Sequence, residues 1–288
     1  VDTTIRISNT YKLTSREFHP QDTVVDVDGV KIGDGSFITM AGPCSVEGLD
    51  QIRQTAQIAK AGGAKILRGG AFKPRTSPYA FQGLEEEGLK YLRQAADELD
   101  MKVITEVMDE SHIDLVAQYS DILQIGARNM QNFKLLAAVG KTGKPIGLKR
   151  GISGTINEWL NAAEYVAVAG KSPVIFIERG IRTFEDATRN TFDLSAVPLI
   201  KKMSHFPIIV DPSHGTGVWD LVPPMARAGV AAGADGMIVE IHPDPENAWS
   251  DGQQSLNEDT YLKMMQEIEV LNSAMNEIHS LETLTVGR

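Results

Sequence analysis

Phe37-Ile-Thr-Met-Ala-Gly-Pro-Cys44 is an apolar run ending in a thiol; LDQIRQTAQIAKAG (49–62) follows it, then AKILR (64–68), which ends in a guanidinium. The middle segment repeats its apolar residues at three- and four-residue intervals, the helical period, while the flanking runs are short and continuously apolar, as buried strands are. Strand, helix, strand in that order favours a parallel sheet. The unit recurs: KVITE ends at Glu106, ILQIGAR at Arg128, PIGLK at Lys149, VIFIER at Arg179, PIIVDPSH at His214 and GMIVE at Glu240. Eight such runs, separated by helix-like segments such as LEEEGLKYLRQAADELD (84–100), predict an α/β fold, a (β/α)8 TIM barrel whose strand ends converge on one pocket. That pocket then holds four basic residues, two carboxylates, a thiol and an imidazole. An open doubly wound sheet also alternates strands and helices, but no Gly-x-Gly-x-x-Gly turn follows an early strand.

Working outward, residues 1–36 do not fit the repeating unit. VVDVDGVKIGDG (24–35) reads as two short strands joined at Asp28-Gly29, a dipeptide suited to a type I′ hairpin turn. The expected organisation is an N-terminal arm with a β-hairpin (1–36), able to plug the barrel's N-terminal face, and a catalytic barrel (37–288). The last helix-like stretch carries Leu262, Met265, Ile268 and Leu271 along one face, and its methionines read as packing. With 288 residues, 42% hydrophobic and 23% charged, one barrel domain is expected. A net charge of −10 argues against nucleic acid or an acidic membrane as partner. A single cysteine forms no internal disulfide, no N-terminal run resembles a signal peptide, and no apolar stretch approaches the roughly 20 residues a bilayer span needs. A cytoplasmic protein is expected.

Cys44, His214, Glu240 and Asp251 combine a soft thiolate, an imidazole and two hard carboxylates. That mixture can hold Mn, Fe, Co or Zn and is poorly suited to Mg alone. The competing reading is a cysteine buried as a small hydrophobe and a histidine ordered in a loop. His19, His112, His205, His242 and His279 lack comparable settings and are read as structural or exposed. The segment from Arg68 through Lys73, Pro74, Arg75 and Thr76 places three cations and a hydroxyl in one loop, suited to phosphate. Arg128, Lys149 and Arg179 add positive charge to the same mouth; the alternative is that each pairs with a surface carboxylate. Arg150 and Arg182 rank lower, because their positions beyond the strand ends fit surface pairing equally well.

Through GPCSVEG (42–48), KILRGGAFKPRTSPYAFQGL (65–84), QIGARNMQN (124–132), LKRG (148–151), ERGIRTFEDATRNTFDLSAVP (178–198), VDPSHGTG (210–217) and GADGMIVEIHPDP (233–245), the chain resembles a known family. These are the 3-deoxy-D-arabino-heptulosonate 7-phosphate (DAHP) synthases of the compact microbial type, type I beta. The resemblance implies a cytoplasmic transferase that condenses phosphoenolpyruvate with erythrose 4-phosphate and water, releasing phosphate, at the first step of the shikimate pathway. It implies a divalent metal ion, manganese with Fe, Co or Zn as alternatives, held by Cys44, His214, Glu240 and Asp251. Arg68, Lys73 and Lys149 would surround the carboxylate of phosphoenolpyruvate, while Arg128, Arg179 and the Ala127 backbone N–H would hold its phosphate. Pro74, Arg75 and Thr76 would grip the second substrate. Lys73, Glu106 and His214 would be catalytic, with Glu106 managing a proton or orienting the attacking water.

Two alternatives stay open at this level. One is a 3-deoxy-D-manno-octulosonate 8-phosphate synthase accepting arabinose 5-phosphate, disfavoured by Lys73-Pro74-Arg75-Thr76. The other is a non-catalytic barrel that binds a phosphometabolite, disfavoured because every metal and cation position is present. A sialic-acid-type synthase lacks support from the KPRTS segment. The family implies a homotetramer or homodimer. Its regulatory domains exceed the 36 or so residues ahead of the barrel, so no inhibition by aromatic amino acids or chorismate is expected of this chain, whether it is a short form or a core without its upstream domain.

Overall fold

A computed structural model describes residues 9–73, 79 and 81–286. The apolar runs lie as the parallel strands β3 (Ile38–Gly42), β4 (Ile66–Arg68), β5 (Lys102–Glu106), β6 (Ile122–Ile125), β7 (Ile146–Lys149), β8 (Val174–Glu178), β9 (Ile208–Val210) and β10 (Gly236–Glu240). They pair in sequence order, and β10 returns to β3, so the sheet closes into a barrel. Outside it run α1 (Leu49–Ala61), α2 (Glu85–Asp97), α3 (Ile113–Tyr119), α4 (Phe133–Gly140), α5 (Ile156–Ala169), α6 (Ala196–Met203), α8 (Val222–Ala231) and α9 (Glu258–Val286), with the one-turn α7 (Pro212–Thr216) at the strand ends. Local signals set several boundaries: Thr155 and Glu158 form a reciprocal capping box at the start of α5, and Asn132 caps α4 through the Leu135 N–H.

The outward strand residues and the helices share one large apolar core, in which Trp159 is fully buried and donates Nε1–H to Leu148 O at 3.1 Å. Inside the barrel lies a second cluster built from Met40, Ile66, Ile104, Ile122, Ile175, Ile177, Ile209 and Ile238. Its remaining members are Val25, Val27 and Ile32, which belong to the hairpin of β1 (Val25–Val27) and β2 (Val30–Ile32). Asp28 and Gly29 both adopt positive φ, 48° and 93°, as the sequence predicts for a type I′ turn. The hairpin therefore stops the N-terminal end of the barrel, and Lys102 Nζ at the start of β5 holds Asp28 Oδ2 at 2.5 Å.

Polar clasps fix the rest of the arm. The Glu164 carboxylate accepts from the backbone N–H groups of Leu13 and Thr14 at 2.9 and 3.0 Å, and Thr23 Oγ1 meets His205 Nδ1 at 2.7 Å. His205 Nε2 lies 2.8 Å from Leu13 O. The fully buried face of α9 is Tyr261, Met264 and Ile268, while Leu262, Met265 and Leu271 are only partly buried. The stripe is rotated from the predicted one because α9 packs against both α1 and α8. No helix among the described residues is long and apolar enough to cross a membrane.

Candidate active site at the strand ends

The loops after the strand C-termini bring the reactive residues into one mouth. Cys44 reaches it through Gly42 at the end of β3, where a Cβ would lie 1.9 Å from Arg68 O, so only glycine allows the two strands' ends to approach this closely. Cys44 Sγ lies 3.0 Å from Ser250 Oγ and 3.3 Å from Asp251 Oδ2. The possible ligand atoms of Cys44, Glu240 and Asp251 all fall within 4.8 Å of one another. His214 stands at the edge of this trio, with Nε2 3.5 Å from Glu240 Oε1. Its Nδ1 is 2.8 Å from Asp211 Oδ2, without an aligned hydrogen bond.

The electrostatics suit a cation. Burial pushes the His214 imidazole below its ordinary value, outweighing Asp211, so the ring is neutral at pH 7 and has a lone pair to offer. Burial works against ionisation of Glu240, yet the positive charge of its neighbours His214 and Arg68 brings its carboxyl down to about 2. Where His214 is neutral, the charges of Arg68 and Lys73 keep it ionised. Burial and the Glu240 charge push the Cys44 thiol up to about 11 against the pull of Lys73, a state that a coordinated divalent cation reverses. A buried thiol, an ionised carboxylate, a second carboxylate and a neutral imidazole together fit a metal ion of borderline softness.

Around the donors sit the cations. Arg68 Nη1 donates to Glu240 Oε1 at 2.7 Å and to Pro43 O at 2.8 Å. Lys73 Nζ lies 3.0 Å from Cys44 Sγ and 2.9 Å from Cys44 O, and Lys149 Nζ donates to Asp211 Oδ2 at 2.7 Å. Arg179 is different: it is 6% exposed and its buried Nη1 has no hydrogen-bond partner among the described residues. Burial pushes this guanidinium below its ordinary value, outweighing the pull of Asp211. Arg179 faces a cleft of about 730 Å³ together with Lys73, Glu106, Arg128, Lys149 and Asp251. Ala127 and Arg128 lie in a short 3-10 turn (Ala127–Asn129) after β6. Glu106 Oε2 accepts from Gln124 Nε2 at 3.2 Å, and its carboxylate occupies the space where a side chain at Gly126 would start. Pro74, Arg75 and Thr76 lie outside the described residues.

Sequence reading missed Asp211. It follows β9 directly, is 1% exposed, caps α7 through the His214 N–H, and touches both Lys149 and His214. Burial opposes its charge, but His214 and Lys149 hold its carboxyl well below the usual range. Its place at the end of an apolar run, three residues before His214, was the available signal. Surface pairing of Arg150 is corrected: the side chain turns back inside, 2.9 Å from Glu178 Oε2 and 2.8 Å from Asp193 Oδ2. Pairing of Arg68 and Lys149 with surface carboxylates is likewise replaced by buried partners within the site. Arg182 is exposed at the rim of the cleft. His242 is structural, 3.3 Å from Glu47 Oε2, while Glu47 Oε1 accepts from Trp249 N–H and so ties the loop carrying Asp251 to that carrying Cys44.

Residues 11–274 match the family model described as the DAHP synthetase I family. The chain belongs to the DAHP synthetase I family. Within it, the chain is 56% identical to a phospho-2-dehydro-3-deoxyheptonate aldolase of Thermotoga maritima, over 96% of this chain and 81% of that one. A 2-dehydro-3-deoxyphosphooctonate aldolase of Desulfosudis oleivorans is 30% identical, over 92% of this chain and 99% of its own length. The crystal structure of the Thermotoga maritima DAHP synthase superposes with a TM-score of 0.91 at 56% identity, covering 96% of this chain and 81% of that one. A truncated form of the Thermotoga maritima 3-deoxy-D-arabino-heptulosonate 7-phosphate synthase gives 0.86 at 53% identity, over 91% and 97% of the two chains. This member of the DAHP synthetase I family thus shares its barrel fold with a DAHP synthase.

Proposed function

We propose that the chain condenses phosphoenolpyruvate with erythrose 4-phosphate and water to give DAHP and phosphate, the first step of the shikimate pathway. The observation that carries this reading is the cleft itself, lined by Arg179, whose buried Nη1 has no hydrogen-bond partner among the described residues, by the exposed Arg128, and by Asp251 of the Cys44, Glu240 and Asp251 donor trio. The 56% identity to a DAHP synthase, against 30% to an octulosonate aldolase, favours the four-carbon sugar.

Arg179, Arg128 and the Ala127 N–H hold the phosphate of phosphoenolpyruvate through forked and backbone donors. Arg68, Lys73 and Lys149 face its carboxylate, and Pro74, Arg75 and Thr76 take the aldose phosphate. Two polyanions are thereby fixed side by side, and such positioning contributes on the order of 7 to 11 kcal/mol in well-aligned reactions. A divalent cation held by Cys44, Glu240, Asp251 and His214, manganese or alternatively Fe, Co or Zn, supplies Lewis acidity toward an aldehyde oxygen. The methylene carbon of the enol attacks the aldehyde carbon, forming the new C–C bond. Lys73, beside Cys44 Sγ, donates the proton that the nascent alcohol needs. Positive character left at the central carbon is met by water, whose proton passes to Glu106, held in place by Gln124. The hydroxyl of the resulting hemiketal phosphate gives its proton to the departing phosphate as the C–O bond breaks and the ketone forms, and Arg128 and Arg179 hold the leaving group throughout.

The acting form is a cytoplasmic homo-oligomer, a tetramer or dimer; the stacked and half-exposed Phe133 and Tyr165, with Val168 67% exposed beside them on α5, supply an apolar face for a second copy. Phosphate release from phosphoenolpyruvate, with erythrose 4-phosphate or arabinose 5-phosphate and with Mn²⁺ or chelator, tests the activity. Metal-dependent turnover of the four-carbon sugar is expected. Preference for arabinose 5-phosphate overturns the assignment in favour of an octulosonate synthase, and no turnover with either leaves a binding barrel.

A further inference from the structure

Glu240 is gripped at both oxygens. Arg68 Nη1 donates to Oε1 at 2.7 Å, and Gln254 Nε2 donates to Oε2 at the same distance. Gln254 is fully buried, and its amide oxygen accepts from Arg189 Nη1 at 2.7 Å. A cation at the oxygen and a carboxylate at the nitrogen leave this amide one orientation, because the reverse would set oxygen against oxygen and N–H against N–H. Arg189 Nη1 also lies 3.6 Å from Asp251 Oδ2. Gln254 sits in the 3-10 turn Gly252–Gln254 that begins directly after Asp251. Arg189 belongs to the loop after β8 and is anchored by its own N–H on Thr216 O at 2.9 Å, while the adjacent Asn190 Nδ2 donates to His214 O at 2.8 Å.

A single polar line, Arg189 to Gln254 to Glu240 to Arg68, therefore crosses from the β8 loop through the β10 loop to the end of β4. Gln254 adds no charge to a crowded site and leaves the full charge of Glu240 for a cation. We infer that Gln254 and Arg189 are positioning residues for the metal donors: Gln254 sets the rotation of the Glu240 carboxylate, and Arg189 fixes the amide of Gln254 while steadying Asp251. This rests on the metal reading given above. Outer partners of this kind commonly change metal affinity by 10- to 100-fold.

The test is competition for Co²⁺ between a chelator and the Co²⁺-loaded full chain, without substrate, read through the Cys44 thiolate-to-cobalt absorbance. Gln254→Leu removes both hydrogen bonds at similar volume and is expected to weaken Co²⁺ binding by about 10- to 100-fold. KM for phosphoenolpyruvate should stay within about twofold while kcat at limiting Co²⁺ falls, a split that mere loss of folded protein does not produce. Arg189→Ala is expected to weaken Co²⁺ in the same direction, and Arg189→Lys, which still donates, to recover most of the loss. Folded Gln254→Leu with parental Co²⁺ affinity overturns the inference. Should that variant not fold, Arg189→Ala decides, since unchanged Co²⁺ affinity with a raised KM makes Arg189 a substrate contact and overturns its positioning role. A parent chain lacking the thiolate band overturns the metal reading, and this inference with it.

Discussion

Asp211, itself buried, stabilises two neighbours at once, the Lys149 ammonium and the His214 ring, at 2.7 and 2.8 Å. Asp211→Asn keeps an oxygen to cap α7 and removes only the charge. Unfolding stability is expected to drop by about 3–5 kcal/mol in urea titrations, the loss typical of a buried charge left without its partner; a change below about 1 kcal/mol would show that water already compensates Lys149. At this scale the sequence is legible where chemistry and backbone position coincide. Cys44 and Glu240 terminate or closely follow apolar runs, and Asp251 lies in the next loop. Asp211 carried the same signal, directly after β9, and was overlooked; Gln254 was not legible, because an amide becomes part of a site only through neighbours that the fold supplies from other loops.

Among the elements, the hairpin shows how a two-residue signal fixes a large contact. Asp28-Gly29 sets the turn, so Val25, Val27 and Ile32 emerge on one face and enter the base of the barrel. Ile32→Ala leaves a cavity there and is expected to cost about 2–5 kcal/mol, seen as a lower urea midpoint with little effect on the distant mouth. The turn and the strands could be read from the dipeptide and the alternation, whereas the clasps on Glu164 and His205 depend on partners more than a hundred residues away. Those clasps carry a pH signature. Burial pushes His205 below its ordinary value, against the raising effect of Leu13 O. Below the unfolded value near 6.5 the unfolded chain thus binds more protons, so stability is lost as the pH is lowered, until the folded ring titrates. Denaturant titrations at pH 7 and 5.5 should show that loss, at most about 1.4 kcal/mol per unit, and His205→Gln should flatten it; an unchanged slope in the variant assigns the acid sensitivity elsewhere.

For the whole molecule, a cation that binds only the folded donor set adds to its stability by mass action. Mn²⁺ at about 100 times its dissociation constant should raise unfolding stability by about 2.7 kcal/mol, and chelator should remove the gain. Cys44→Ala should be insensitive to both, as read by thermal melts; an equal gain in that variant would place the stabilising ion elsewhere. The barrel has one further consequence. Its interior is packed with isoleucine and its far end is stopped by the hairpin, so nothing passes through the molecule. On the proposed function, substrates and products therefore enter and leave at the strand-end cleft, which is lined by the buried Arg179 and the exposed Arg128. If phosphoenolpyruvate is seated at Arg179 as proposed, traffic through such a dead end is last in, first out: it waits until whatever lies above it has left.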